Sequence, residues 1–252
     1  MTFQASLRKE LLEQWRSYRM PIAVVVLVSL ALVSPLSARF TPELMKLLPN
    51  GEEIAKLIPP PTIMDAVTQH IKNTTQFALI LAILMSMGAV AVEKDKGTAA
   101  MILVKPLPRW AFLLSKFVAL ALTLAVSILL AGLACYYYTL ILFGPLPLMA
   151  WCALNVLLLL QVWLYVALTL LCSTLTRSQA AAGGLAFGLI ALLAILGSLP
   201  RVGDYLPARL TGWGMELVAG GSAQAWIALW VTLALIGAAL GTACLSFRAQ
   251  EL

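Results

Sequence analysis

Charged side chains are scarce in this sequence, because only 11% of its 252 residues are Asp, Glu, Lys or Arg. A soluble domain carries roughly 25%, and a chain of 27.1 kDa with so few charges lacks the polar surface needed to stay dispersed in water. Hydrophobic residues make up 62% of the sequence, and the mean hydropathy is +0.94. The composition therefore predicts an integral membrane protein.

Several motifs that would indicate other chemistry are also missing. The sequence has no G-x-x-x-x-G-K-[ST] phosphate loop, so we expect no ATP binding of that kind. The four cysteines lie in apolar runs without a C-x-x-C pair and are expected to be buried thiols. The single histidine, His70, lies in a mixed-charge segment and is predicted to be solvated, with no metal site. The net charge of +6 is spread between apolar stretches, which argues against nucleic acid as a partner.

Long stretches without charge predict six transmembrane helices, since one span needs roughly 20 apolar residues. The stretch 117–176 is divided in two by Gly144-Pro145-Leu146-Pro147. Residues 1–19 form a separate N-terminal helix, and residues 20–252 form the transmembrane domain of an all-α membrane protein. The predicted spans are about 20–38, 74–92, 113–142, 148–173, 179–199 and 224–246.

The distribution of Lys and Arg predicts the orientation in the cell (inner) membrane. If the N-terminus lies inside, the inner segments carry eleven of these residues and the outer segments six. Because positive charge accumulates on the cytoplasmic side, both termini of this multi-pass protein are expected in the cytoplasm. The small residues at 35–38 resemble a signal-peptide cleavage site, but the long polar region ahead of them favours an uncleaved first span.

The N-terminal segment is predicted to be an amphipathic interfacial helix. Its apolar residues recur at spacings of three and four, on one face. A basic helix with Trp and Tyr suits the headgroup layer of a membrane; the alternative is an ordinary juxtamembrane tail. The residues expected to contact the interface are Leu11, Trp15 and Tyr18.

Two further segments are predicted to form short helices on the outer side. Thr41-Pro42-Glu43-Leu44 is typical of a helix start. Residues 201–222 combine Pro207, five glycines and apolar side chains, which suits short helices that dip into the outer leaflet.

The segment between the second and third spans is the most informative. It begins Glu93-Lys94-Asp95-Lys96-Gly97-Thr98 and, after six apolar residues, ends Lys105-Pro106-Leu107-Pro108-Arg109. Gly97 permits an unusual backbone angle, Thr98 can cap a helix and Pro106 stops one. The pattern predicts a short helix on the cytoplasmic face, against which a peripheral protein can press.

This segment resembles the ABC-2 type exporter permeases. Many of them carry Glu-x-(acid)-x-Gly-Thr, an apolar helix, then Pro-x-x-Arg and a Lys early in the third span. The residues at these positions here are Glu93, Asp95, Gly97, Thr98, Pro106, Arg109 and Lys116. The N-terminal elbow helix, the six spans and the apolar segment before the last span agree with the family plan, while Ala99-Ala100 replaces its usual leucine-rich start.

The resemblance implies a non-enzymatic permease subunit of an ATP-driven exporter, with the ABC-2 exporter fold and a cytoplasmic coupling helix. It implies a dimer with a second permease copy or homologue, and two copies of a separate cytoplasmic ABC ATPase that bind the ATP and Mg. This chain is expected to hold no cofactor itself. Glu93 and Arg109 are expected either to contact the ATPase or to fix the loop. The coupling residues are Glu93, Asp95, Gly97, Thr98, Pro106 and Arg109.

The family also implies a transport path at the subunit interface, lined mainly by spans one, two and five. Ser34 and Gln76 are candidates for a mildly polar conduit, or for ordinary hydrogen bonds between helices. Gly183 and Gly184 suit a dimer interface or close packing within the subunit. The apolar spans favour a hydrophobic or amphipathic substrate.

Two other classes of membrane protein stay as alternatives. One is a secondary transporter that does not use ATP, although only Lys116, near an inner end, is an ionisable residue within a span. The other is a membrane anchor or assembly protein. An intramembrane protease is disfavoured because the sequence has no G-x-S-x-G motif and His70 falls outside the predicted spans.

Overall fold

The structure is a computed structural model, and it describes residues 3–46, 59–97, 108–222 and 224–249. Within these ranges the regular elements are helices, which confirms the predicted all-α fold. They are α1 (Phe3–Arg16), α2 (Arg19–Lys46), α3 (Ile63–Ser86), α4 (Ala91–Asp95), α5 (Arg109–Leu142), α6 (Leu148–Leu175), α7 (Gln179–Gly197), a 3-10 turn (Gly203–Tyr205), α8 (Arg209–Val218) and α9 (Trp226–Ala249).

Six helical stretches in the described residues are long and apolar enough to cross a membrane, as predicted. They are α2, α3 together with α4 (Ile63–Asp95), α5, α6, α7 and α9. The first two differ most from the sequence prediction. α2 continues to Lys46, and α3 begins at Ile63. The predicted coupling helix, with Thr98 and Pro106, lies outside the described residues.

Local sequence explains both differences. The prediction of a helix start at Thr41 is wrong, because α2 runs through Pro35 and Pro42 without a break. Proline frees one backbone carbonyl four residues earlier, and this is tolerated within membrane-spanning helices. α3 starts directly after the prolines at 59–61, because the Asp65 carboxylate accepts hydrogen bonds from the backbone N–H and the hydroxyl of Thr62, both 2.7 Å long.

The core is built around α6. In the most apolar stretch of α6, 78% of the residues are buried. The corresponding share is 28% in α2 and 22% in each of α7 and α9. α6 packs against α3, α5, α7, α8 and α9, while α2 packs against α3 and α5. The large apolar faces of α2, α7 and α9 are therefore left to lipid or to another protein.

The first and last helices meet at one end of the bundle, here named the terminal end. Phe3 of α1 packs against a cluster that contains Phe112 of α5 and Phe247 of α9. The Phe112 and Phe247 rings are stacked, with centroids 5.5 Å apart. The opposite end holds the 3-10 turn and α8, a short helix that packs on α6 through buried Leu210 and Trp213.

Candidate functional site

The predicted coupling residues that the structure describes lie at the terminal end, on either side of the segment 98–107. Glu93 and Asp95 are on α4, and Gly97 follows it. Arg109 is the first residue of α5. The structure therefore shows how the two ends of this segment are held, and each end has its own set of contacts.

A buried ion cluster holds the α4 side. The Lys116 ammonium lies 2.8 Å from the Glu93 Oε1 and 3.0 Å from the Glu10 Oε1. The Lys116 side chain is only 3% exposed, and its Nζ lies 5.0 Å from the centroid of the Phe112 ring. Because the three charged residues come from α1, α4 and α5, the cluster joins three separate elements.

The free-energy cost of burying a charge holds the three side chains of this cluster together. A buried ammonium is stable only when its lost hydration is replaced, and here two carboxylates replace it. Glu93 was expected either to contact the ATPase or to fix the loop. Its contact with Lys116 is of the second kind, because both residues belong to this chain. Lys116 belongs to the motif seen in the sequence, but its pairing with Glu93 and Glu10 was not predicted.

The polar stripe of α1 explains how Glu10 reaches this cluster. Ser6, Glu10 and Gln14 recur every four residues and are all buried, and α1 packs mainly on α5. The Ser6 and Ser115 hydroxyls are hydrogen-bonded at 2.9 Å. The four-residue spacing of these polar residues was the sequence signal for a protein-facing stripe, beside the apolar stripe.

The predicted interfacial residues lie on the other faces of α1 and just after it. Leu11 is half-buried, whereas Trp15 is 61% and Tyr18 is 70% exposed. Tyr18 has φ 58°, a left-handed conformation in the short link between α1 and α2. Both aromatic side chains can therefore contact lipid or another protein outside the bundle.

Ser173 of α6 fixes the break between α3 and α4. Its hydroxyl accepts hydrogen bonds from the backbone N–H groups of Val90 (3.1 Å) and Ala91 (3.0 Å) and donates one to the Met87 carbonyl at 2.9 Å. The Lys94 ammonium donates to the Thr174 carbonyl at 2.8 Å. The helix that leads into the segment 98–107 is thus attached to the most buried helix of the bundle.

Arg109 holds the α5 side through the last helix. Its Nη1 donates to the carbonyl of Phe247 at 2.9 Å and to that of Arg248 at 3.0 Å. The final carbonyls of a helix lack partners within that helix, and a guanidinium is well suited to satisfy them. Arg109 therefore also has a fixing contact within the chain.

Asp95 and Gly97 differ from these anchored residues because both are exposed. Gly97 has φ +66°, and a Cβ built there would meet no atom of the described residues within 4 Å. Backbone conformation therefore opposes a side chain larger than hydrogen at this position.

The four candidates for a path or dimer interface fall into two groups. Ser34 is buried and accepts a hydrogen bond from the Asn73 amide at 2.9 Å. Gly183 is buried, and a Cβ there would lie 2.9 Å from the Met87 sulfur. Gln76 and Gly184 are exposed on the outside of the bundle. The first pair thus serves contacts within the chain, and the second pair lies on surfaces open to a partner.

His70 was predicted to be solvated, and this prediction is wrong. Because α3 begins at Ile63, His70 lies two turns inside the helix and is fully buried. Its ring centroid is 5.0 Å from that of Trp151, and its Nε2 is 3.4 Å from the Asn155 Oδ1. The contacts are those of a packed residue between α3 and α6.

Comparison with known proteins identifies the family of this chain. A family model described as "ABC-2 family transporter protein" matches residues 4–203. The chain is also 30% identical over 210 residues to the "Uncharacterized transmembrane protein YxlG" of Bacillus subtilis (strain 168), across 82% of this chain and 81% of that protein. The family match includes α1, α4 and α5, and so all three members of the ion cluster.

Proposed function

Because this chain belongs to the ABC-2 transporter family, we propose that it is the permease subunit of an ATP-driven exporter. In this proposal two permeases form the transport path, and each is driven by its own copy of a separate ATPase that binds ATP and Mg. The terminal end of the bundle faces the cytoplasm, and the ATPase docks on the segment 98–107.

The observation that carries the proposal is the two-sided anchoring of that segment. On one side Glu93 is bound to Lys116 and Glu10, and on the other Arg109 is bound to the end of α9. A force applied to the segment would thus reach α1, α5 and α9 through charge-assisted contacts, which are stronger and more directional than apolar ones. This is the linkage that a permease needs if it takes its energy from a peripheral ATPase.

The path in this proposal runs between two permease copies, beside α2, α3 and α7. Most residues in the apolar stretches of α2 and α7 are not buried by other parts of the chain. Gln76 is an exposed polar side chain in a membrane-spanning helix, where contact with lipid is costly. A second copy would cover these surfaces and give Gln76 a polar surrounding.

The direct test is to purify the tagged chain from membranes in mild detergent and identify the proteins that accompany it by mass spectrometry. We expect a protein with a phosphate loop, present in equal copies, and ATPase activity in the preparation. Glu93→Ala should weaken its recovery, because the loop loses its anchor. Glu43→Gln, which changes an exposed acid at the other end of α2, is the matched control.

A monodisperse preparation without such a partner and without ATPase activity would contradict the proposal. It would favour one of the alternatives named from the sequence, a transporter independent of ATP or a membrane anchor. Equal recovery of the ATPase with Glu93→Ala and Glu43→Gln would leave the subunit assignment intact and contradict the role of the anchor.

A further inference from the structure

The N-terminal helix has a third face that neither the bundle nor the apolar stripe uses. Successive residues turn by about 100° around a helix. Arg8 therefore lies opposite the buried residues Ser6 and Glu10, whereas Lys9 and Arg16 lie on the flank between them and Arg8. All three cations are exposed. The helix therefore presents positive charge away from the protein along its whole length.

These cations line an open groove of about 960 Å³. Its other lining residues, among those that the structure describes, include Leu12, an exposed apolar side chain, and one acid, Glu13. Lys9 also lies 3.6 Å from Glu10. Among the residues that the structure describes, Arg8 and Arg16 make no ion pair with an acidic side chain. The groove thus combines uncompensated positive charge with an apolar side chain.

Aromatic residues place this groove at a membrane surface. Trp15 and Tyr18, both largely exposed, flank Arg16. Trp and Tyr concentrate at the headgroup level, where one part of the ring is apolar and another can form hydrogen bonds. The ligand that matches cations, an apolar side chain and interfacial aromatics together is a lipid with an anionic headgroup.

We propose that the face of α1 formed by Arg8, Lys9, Leu12 and Arg16 is a binding site for an anionic phospholipid. The guanidinium groups of Arg8 and Arg16 bind the headgroup phosphate, since guanidinium matches phosphate in geometry and charge. The acyl chains lie against Leu12 and Trp15, the exposed apolar side chains beside these cations. This site is independent of the proposed ATPase, because it needs only the permease and the membrane.

Native mass spectrometry of the purified full chain tests the site. The protein is incubated with equal amounts of phosphatidylglycerol and phosphatidylcholine, and the retained lipids are counted. We expect preferential retention of phosphatidylglycerol. One cation near a membrane surface contributes roughly fivefold, equivalent to about 1 kcal/mol, so the double variant Arg8→Gln/Arg16→Gln should lower the preference at least fivefold.

The matched control is Arg177→Gln/Arg248→Gln. It removes two exposed cations at the same end of the bundle but outside α1, and it should leave the preference unchanged. Equal losses in both double variants would show a general charge effect and overturn the site. Absence of any preference in the unmodified protein would also overturn it.

A second measurement separates the lipid from a protein partner. If Arg8→Gln/Arg16→Gln keeps its phosphatidylglycerol preference but loses the co-purified ATPase, the face binds that protein and the lipid proposal is wrong. If the preference is lost whether or not an ATPase co-purifies, the lipid site holds. A failure of the proposed exporter function would leave this result unaffected.

Discussion

Lys116 is the residue with the largest energetic consequence at the terminal end. It is an ammonium with almost no contact with solvent, and it is held by carboxylates that are distant in sequence. Removing one member of such a cluster leaves a buried charge without its full compensation, whereas replacing all members together avoids this cost. Replacing all members together should therefore cost less stability than removing the ammonium alone.

The first prediction uses this contrast. Lys116→Met alone should lower the free energy of unfolding by about 3–5 kcal/mol, because Glu10 and Glu93 are left partly buried and repel each other. Adding Glu10→Gln and Glu93→Gln to that variant should recover at least half of the loss. The measurement is chemical unfolding in detergent micelles, followed by tryptophan fluorescence. A triple variant less stable than Lys116→Met would contradict a charge-based junction.

The second prediction concerns Ser173, whose hydroxyl serves two backbone donors. Ser173→Ala should leave the N–H groups of Val90 and Ala91 without their acceptor, at a cost of about 1–3 kcal/mol each. Hydrogen exchange at these two amides should become at least tenfold faster, while amides in the middle of α6 stay protected. Ser198→Ala, at an exposed site after α7, is the control. Unchanged exchange at residues 90 and 91 would show that Ser173 does not hold the break.

At the scale of elements, the short helix α4 and the residues that follow it determine how the segment 98–107 leaves the bundle. Its start is fixed to α6 and its side is fixed to α5, while Gly97 has φ +66°. The last described residue before the segment 98–107 therefore has a left-handed conformation.

The third prediction tests that residue. Gly97→Val should cost about 1–3 kcal/mol in the native turn, because a β-branched residue is strained at positive φ. We expect normal membrane insertion, but ATP hydrolysis by the purified complex should be uncoupled from transport. Gly97→Asn is the matched control, since asparagine tolerates this conformation, and it should keep hydrolysis and transport coupled. Normal transport by Gly97→Val would mean that the turn does not matter for coupling.

Elements were more predictable from the sequence than contacts. Uncharged stretches predicted six spans because the membrane imposes one length and one composition on every span. The resemblance to a family pointed to Glu93 and Arg109, but their partners stayed hidden. Glu10 lies 106 residues before Lys116, and Arg109 binds backbone carbonyls, which have no sequence signature. The prediction for His70 was wrong because the helix start after the three prolines was not recognised. That start depends only on the hydrogen bonds between Thr62 and Asp65.

At the scale of the whole molecule, the arrangement has two chemically different ends. The terminal end gathers α1, α4 and the beginning of α5, while the 3-10 turn and α8 lie at the other end. The proposed function requires that the first of these ends face the cytoplasm.

The fourth prediction tests this orientation. The expectation that all four cysteines are buried is wrong for Cys152, which is exposed. In a Cys152→Ser background, which removes this thiol, cysteine is introduced in place of either Lys96 or Asp204. Both positions are exposed. A membrane-impermeant maleimide added to intact cells should label position 204 and should label position 96 only after permeabilisation. The reverse pattern would overturn the orientation, and the background variant alone reports unspecific labelling.

The contact between Arg109 and the end of α9 also has a consequence for biosynthesis. The guanidinium is synthesised 138 residues before the Phe247 carbonyl that it binds. During translation this hydrogen bond can therefore form only after α9 has been synthesised. In the proposed exporter, an ATPase docking surface that includes Arg109 would be complete only after α9 has been made, and docking would be delayed until then.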